Sequence, residues 1–142
     1  MSVKAGWSTP MFRVTDVTRS IRFYEQLGFE LIDSFGDRGH IGWARLQCSG
    51  GALMLLEEPP PPSRERGVLL YMYTEDLRAL REQLLAQGVA LSEISHPDYM
   101  QSGEMHVEDP DGYVVLVGHW GKAEHAAWEQ RIAEKKRSAG GT

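Results

Sequence analysis

The sequence predicts an α+β fold in which one βαβββ unit occurs twice. The first observation is a strand-like alternation that ends at Asp16 and again at Asp76, each followed by a helical pattern. The second is that the order of elements repeats after 60 residues, since 76 − 16 = 60. Internal repetition of a supersecondary unit indicates two modules that bury their apolar faces together.

The first module begins with a strand and a helix. Residues 11–15 alternate apolar and polar side chains, and Asp16 is a favourable helix N-cap. Apolar residues then recur at helical spacing over residues 18–27, and Gly28 follows where a left-handed C-terminal cap is expected. We therefore predict a strand, an N-cap and a helix in that order.

Three further strands are expected to complete the first module. Residues 29–32 resume a strand pattern, a turn follows around residues 36–39, and the segments 40–48 and 52–56 form a hairpin. The three residues Ser49-Gly50-Gly51 are read as its turn.

The second module is predicted to copy this order. A strand covers residues 70–74 and a helix residues 77–85, and residues 89–91 correspond to the second strand of the first module. The segments 104–108 and 113–117 then form a hairpin closed by Asp109-Pro110-Asp111-Gly112.

The whole chain reads as a single domain of two modules with a linker and a tail. The modules span residues 8–58 and 67–120, and the proline-rich segment 59–66 joins them because four prolines exclude helix or strand interiors. The remaining residues, 121–142, are expected to form an amphipathic helix over 123–136 and a disordered end over 138–142.

Composition narrows the classes of function. The chain has 142 residues and a net charge of −5, which disfavours nucleic-acid binding. Cys48 is the sole cysteine, so no disulfide framework is expected, and no apolar run approaches the roughly 20 residues of a membrane span. We expect a cytoplasmic protein whose partner is a small molecule rather than a nucleic acid or a membrane.

Two stretches resemble the vicinal oxygen chelate superfamily, which includes glyoxalase I, bleomycin-resistance proteins and extradiol dioxygenases. They are FRVTDVTRSIRFYEQLGF at residues 12–29 and VEDPDGY at residues 107–113. With the repeat, the resemblance covers about residues 8–120. It implies two βαβββ modules whose curled sheets form an incomplete barrel around a cavity, in a homodimer.

The resemblance also implies where a metal would lie. Enzymes of this superfamily hold a divalent ion through four side chains on the first and last strands of the modules. Aligning the repeats puts these positions at Thr9, Leu55, Leu69 and Leu116. Three leucines offer no lone pairs, so we expect neither a metal nor another cofactor.

An alternative metal site remains open. Glu104, His106 and Glu108 alternate onto one face of a strand, and His119 follows the last strand. These side chains are the candidates for a displaced site in a lyase, isomerase or dioxygenase. We favour the other interpretation, in which that face is a solvated sheet edge.

The predicted cavity face is apolar and aromatic. Period-two alternation from the four aligned positions brings in further strand residues. The resemblance adds Phe35 as a crevice aromatic and Tyr99 in place of the tryptophan of a Pro-Trp-Gly-x-Arg stretch of the family, and two tryptophans are expected to add stacking surface. The full set of predicted ligand-binding residues is Met11, Arg13, Phe35, Trp43, Leu55, Leu69, Tyr71, Tyr73, Tyr99, Leu116 and Trp120.

These residues favour binding over catalysis. We assign no catalytic residue and predict a metal-free protein of the glyoxalase/bleomycin-resistance type that sequesters a hydrophobic or aromatic ligand, with an antibiotic as one candidate. The metal-dependent enzyme is the alternative. A third interpretation is a structural or regulatory dimer whose tail helix around Trp128 packs on a partner.

Overall fold

The computed structural model describes residues 3–6 and 8–140, which form two compact units. One unit runs to Val68 and includes Asp109–Tyr113, the tip of a later hairpin. The other comprises Leu69–Glu108 and the chain from Val114 onward. Each unit contains one open sheet with helices, which confirms the predicted α+β class.

The first unit is a four-stranded sheet and one helix. Its elements are β1 (Met11–Val14), α1 (Val17–Gln26), β2 (Glu30–Asp37), β3 (His40–Cys48) and β4 (Gly51–Glu57). The strand order is β1-β4-β3-β2, with β1 and β4 parallel and the other pairs antiparallel. The βαβββ order predicted for this module is confirmed.

Helix α1 begins and ends where its capping residues allow. The Asp16 side chain accepts a hydrogen bond from the Arg19 N–H at 3.2 Å, and Gly28 has a φ of +101°, a conformation that a side chain would disfavour. The helix buries Val17, Ile21 and Tyr24. One face of the sheet is also buried, with Phe12, Val14, Ala44, Leu46, Leu53 and Leu55 in the core.

The hairpin tip Asp109–Tyr113 is bound to this unit by polar and aromatic contacts. The Tyr24 hydroxyl donates a buried 2.8 Å hydrogen bond to Asp109. The Tyr113 ring stacks on Phe12 with centroids 4.6 Å apart, and its hydroxyl donates to the Arg13 carbonyl. These contacts explain why the tip belongs to the first unit although its strands belong to the second.

The second unit contains a three-stranded sheet and two helices. Its elements are β5 (Leu70–Thr74), α2 (Leu77–Ala86), β6 (Glu104–Glu108), β7 (Val114–His119) and α3 (Lys122–Gly140). The strand order is β5-β7-β6, parallel between β5 and β7 and antiparallel between β6 and β7. Asp76 caps α2 by accepting from the Ala79 N–H.

The second module lacks one predicted strand. Residues 89–91 form only an isolated bridge, Leu91 to Val107, and Ser95 makes another with Glu104. The segment follows β6 with scattered backbone hydrogen bonds, such as Ser92 N–H to the His106 carbonyl. The His106 N–H donates to the Ser92 hydroxyl and not to a backbone carbonyl, which interrupts a regular ladder.

The tail also differs from the prediction. Helix α3 continues through Ser138, Ala139 and Gly140, which we expected to be disordered, while residues 141 and 142 lie outside the described residues. Good helix formers occupy most of positions 131–137, and they favour continuation of the helix. Within the described ranges no helix is both long and apolar enough to span a bilayer.

Candidate ligand-binding site

One face of the second sheet gathers several of the predicted ligand-binding residues. The strand register places Tyr71 beside Leu116, and Leu116 beside His106. It also places Tyr73 beside Gly118, and Gly118 beside Glu104. Paired residues share a face, so Tyr71, Tyr73 and Leu116 lie on the same side of the sheet as Glu104.

Glu104 is a buried carboxylate on this face. Its exposed fraction is 2%, and each of its oxygens accepts a hydrogen bond from a tyrosine. Tyr71 donates to Oε2 at 2.5 Å, and Tyr99 donates to Oε1 at 2.7 Å from a short helical turn, Asp98–Met100. Our expectation of a solvated sheet edge is therefore wrong for Glu104, although His106 and Glu108 are exposed.

Both phenols are held in the protonated, donating form. Burial, reinforced by the hydrogen bond to Glu104, raises the pKa of Tyr71 far above its ordinary value. The hydrogen bond to Glu104 is the main cause that raises the pKa of Tyr99. The two hydroxyl groups consequently satisfy the buried carboxylate at neutral pH.

Four aromatic side chains extend from this point across the unit, and we call Tyr71, Tyr73, Trp120 and Trp128 the aromatic row. Successive ring centroids are 5.1, 4.9 and 6.5 Å apart. Tyr73 and Trp128 are half exposed, at 55% and 46%. The row therefore offers accessible ring surface for stacking.

The first turns of α3 hold Trp128 in the row. Ser102 donates a 2.7 Å hydrogen bond to Glu124, which lowers the pKa of that carboxyl, and the Gly121 N–H also donates to Glu124. The Trp120 indole N–H donates to His125, whose ring stacks on Trp128. These contacts fix the start of the helix against the sheet's end.

A separate small pocket in the same unit has a volume of about 190 Å³. It is smaller than the roughly 300 Å³ at which cavities that enclose drug-sized ligands begin. Its lining residues are Asp76, Leu77, Arg78, Ile94, His96, Ser102 and His119. His119 therefore lines this pocket with His96.

Among the described residues, no cluster of possible ligands supports the displaced metal site. Among residues 3–6 and 8–140, no three His, Cys, Asp or Glu side chains are grouped so that they could hold an ion. Glu104, the buried member of the set, already accepts hydrogen bonds from two tyrosines.

The first unit presents its own candidate face. The register connects Arg13 to Leu56, Leu56 to Trp43, and Trp43 to Phe35 across all four strands. Phe35 is 77% exposed at the sheet's edge strand. Three predicted residues thus form one transverse row, with Leu56 as a member that sequence reasoning did not select.

The structure corrects the predicted orientation of Leu55. We expected it on the face of Met11, but Met11 pairs with Met54, whereas Leu55 pairs with Phe12 and is completely buried. The structure therefore moves the last-strand position of the first module to Met54 or Leu56. Neither a thioether nor an alkyl side chain is a suitable ligand for a hard or borderline divalent ion. The residues present, with Thr9, Leu69 and Leu116 at the other positions, do not fit the metal of the related enzymes.

The remaining predicted residues occupy varied positions. Leu69 precedes β5 and is 59% exposed, and Met11 is half exposed at the start of β1. Trp128 was assigned only to the tail helix, and its place in the aromatic row depends on the turn at residue 121. The ligand-binding role of the predicted set stays a prediction.

The fold places the chain in a class of proteins with known members. The family model "Glyoxalase/Bleomycin resistance protein/Dioxygenase superfamily" matches residues 8–117. The chain belongs to this superfamily, as the two sequence stretches indicated. No curated protein matches the chain by sequence.

Solved structures with the same fold include antibiotic-binding proteins. SMU.1112c is 27% identical with a TM-score of 0.66, over 81% of this chain and 99% of its own. TnmS3, an antibiotic binding protein from Streptomyces sp. CB03234, is 22% identical with a TM-score of 0.63, over 83% and 98%. A bleomycin-binding protein complexed with bleomycin is 20% identical with a TM-score of 0.63, over 82% and 99%.

Proposed function

We propose that this protein binds a small aromatic molecule without a metal ion and sequesters it rather than transforming it. The observation that carries the proposal is the aromatic row, with two half-exposed rings beside a satisfied carboxylate. Exposed ring faces with few convergent polar groups suit stacking of a flat ligand.

The chemistry of the face supports binding more than catalysis. Glu104 and its two phenol partners are already hydrogen-bonded to one another, so none of them is poised as a free acid or base. Antibiotic binding by two structural neighbours supports an antibiotic as the ligand class. We extend this class to the present chain as part of the proposal.

We further propose that the protein acts as a homodimer in the cytoplasm. Its edge strand β2 is exposed along its whole length and carries Leu31, Ile32 and Phe35. An open, apolar edge favours burial against a second copy. Sedimentation equilibrium should give twice the chain mass of 16.0 kDa, and a monomer at all concentrations would contradict the proposed dimer.

Binding can be measured with acridone, a neutral, planar, fluorescent three-ring molecule. We expect its fluorescence anisotropy to rise on titration with the wild-type protein. Tyr73→Ala should weaken binding roughly 2- to 10-fold because it removes one stacking surface. Leu85→Ala, which truncates an exposed residue of α2, is the control and should bind like wild type. Absence of acridone binding to wild type would overturn the proposal.

Metal independence has its own measurement. Elemental mass spectrometry of the untagged protein, before and after incubation with Zn, Ni, Mn and Fe(II), should find far less than one ion per chain. Stoichiometric metal that is lost in His106→Ala would instead establish the displaced site and an enzyme.

A further inference from the structure

Glu104, the carboxyl group next to the aromatic row, has no salt-bridge partner in the sheet of the second unit. Glu104 is 2% exposed and takes part in none of the salt bridges found in the described part of the chain. Its hydrogen bonds come from neutral phenols. The two phenols therefore supply hydrogen bonds to Glu104 but no compensating charge.

The strands around Glu104 add no positive charge. Strands β5, β6 and β7 contain no lysine or arginine. Besides the tyrosines, the ionisable strand residues that share the face of Glu104 are His106 and Glu108, both exposed. Besides the phenols, this face of the sheet has two acidic side chains and one imidazole, so acidic groups are in excess there.

The aromatic rings add to the negative electrostatic potential at the place where a ligand would stack. The face of an aromatic ring is itself negative, and a phenol that donates to a carboxylate becomes more electron-rich. Tyr71 links the two features, since its hydroxyl binds Glu104 and its ring begins the aromatic row. A cation stacked on the row would interact favourably with both the rings and the buried charge.

Tyr99 lies where a ligand group can take its place as a hydrogen-bond donor to Glu104. It is 72% exposed and lies on a short turn between Pro97 and Gln101, so its ring is held by few neighbours. Its hydroxyl covers Oε1 of Glu104. A ligand ammonium or amidinium group could replace this hydroxyl as donor to the carboxylate.

We propose that the aromatic row and Glu104 together select a planar aromatic cation over a neutral or anionic molecule of the same shape. This inference rests on the proposed function, because it specifies the ligand class of the same site. In this inference the charge of Glu104 provides the preference for a cation, and the four rings of the aromatic row provide the surface on which the ligand stacks.

Three probes of matched shape test the proposal. They are 9-aminoacridine, a cation at neutral pH, neutral acridone, and anionic 9-anthracenecarboxylate. For the wild-type protein at low salt, we expect 9-aminoacridine to bind about tenfold more tightly than acridone, and the anion to bind most weakly. Equal affinity for the cation and the neutral probe, or preference for the anion, would overturn the inference while leaving aromatic binding intact. Failure of all three probes would instead overturn the proposed function.

Substitution of Glu104 tests whether its charge causes the preference for the cationic probe. Glu104→Gln keeps the size and hydrogen-bonding capacity but removes the charge, and should lower the affinity for 9-aminoacridine about tenfold with acridone changed less than about twofold. Glu108→Gln removes an exposed charge of the same strand and is the matched control, with little effect on either probe. An equal loss for both probes in Glu104→Gln would show that Glu104 only positions the tyrosines, and would overturn the charge assignment. If Glu104→Gln does not fold, the wild-type preference between the probes decides the question.

Discussion

The ring of Tyr71 lies across the backbone at Gly118, so closely that a β-carbon on Gly118 would come 2.9 Å from the Tyr71 hydroxyl. The Met100 methyl group would be 3.0 Å from the same β-carbon. Glycine at this position of β7 is therefore what lets Tyr71 cross the strand and reach Glu104 on β6. The site depends on a residue that contributes no side chain.

Gly118→Ala should displace Tyr71 and break its hydrogen bond with Glu104. We expect a loss of about 1 to 3 kcal/mol in the free energy of unfolding, because a methyl group is forced into a packed position. Acridone binding should weaken in parallel. Gly67→Ala is the control, since a β-carbon there meets no atom within 4 Å. Wild-type stability and binding in Gly118→Ala would contradict the role given to Tyr71.

Tyr24→Phe should destabilise the attachment of the hairpin tip to the first unit. The Tyr24 hydroxyl donates a 2.8 Å hydrogen bond to the buried Asp109, and its loss leaves a carboxylate oxygen without that donor. We expect a decrease of about 1.5 to 3 kcal/mol, measured by urea unfolding. Tyr73→Phe removes a hydroxyl from a half-exposed ring and should leave the midpoint unchanged. Equal midpoints for the two variants would refute the prediction.

Asp109 should make stability depend on pH in a defined direction. Burial raises the pKa of this carboxyl, although hydrogen bonds from the Tyr113 N–H, the Tyr24 hydroxyl and the Asp111 N–H oppose the shift. The folded state therefore holds the proton more tightly than the unfolded state, whose pKa is about 4. The stabilisation from protonated Asp109 is complete below that pH and is lost as the pH rises through the folded-state pKa.

Asp109→Asn isolates this effect, because the variant has no titrating group at the position. The unfolding free energy of wild type minus that of the variant should fall as the pH is raised from roughly 4 toward 7. Urea unfolding at several pH values measures this difference. A difference that grows with pH would show that the hydrogen bonds outweigh burial.

Trp128→Ala should shorten the aromatic row without harming the fold. Trp128 is 46% exposed, and its ring contacts those of Trp120 and His125 near the start of α3. We expect a free energy of unfolding within about 0.5 kcal/mol of wild type. Acridone affinity should fall roughly 2- to 10-fold. Ala126→Gly, on the same helix, would show whether loss of helix rather than of the ring explains a change.

Much of the fold was predictable because local signals were strong. Strands β3 and β5 have the predicted bounds, since turn residues limit them on both sides, and Asp16 and Asp76 cap the two helices as expected. The face of β4 was not predictable in the same way. Every residue from Ala52 to Leu56 is apolar, so alternation could not decide which set faces the core, and only the pairing of Met11 with Met54 fixes it.

The candidate site was predictable in its aromatic residues but not in its charge. Alternation on β5 identified Tyr71 and Tyr73 as neighbours on one face. The burial of Glu104 depends on two hydroxyl groups that come from positions 33 and 5 residues away in the chain. Hydrogen bonds between side chains at such unequal spacings leave no periodic signal in a sequence.

The central claim is that an aromatic molecule binds on the row formed by Tyr71, Tyr73, Trp120 and Trp128. A titration with acridone, followed by ¹⁵N–¹H NMR of the tryptophan indole groups, tests it directly. The account predicts saturable shifts of the Trp120 and Trp128 indole signals, and in Tyr73→Ala the same shifts should require roughly 2- to 10-fold more acridone to reach half-saturation. Shifts confined to Trp43, in the first unit, or no shifts at all, would contradict it.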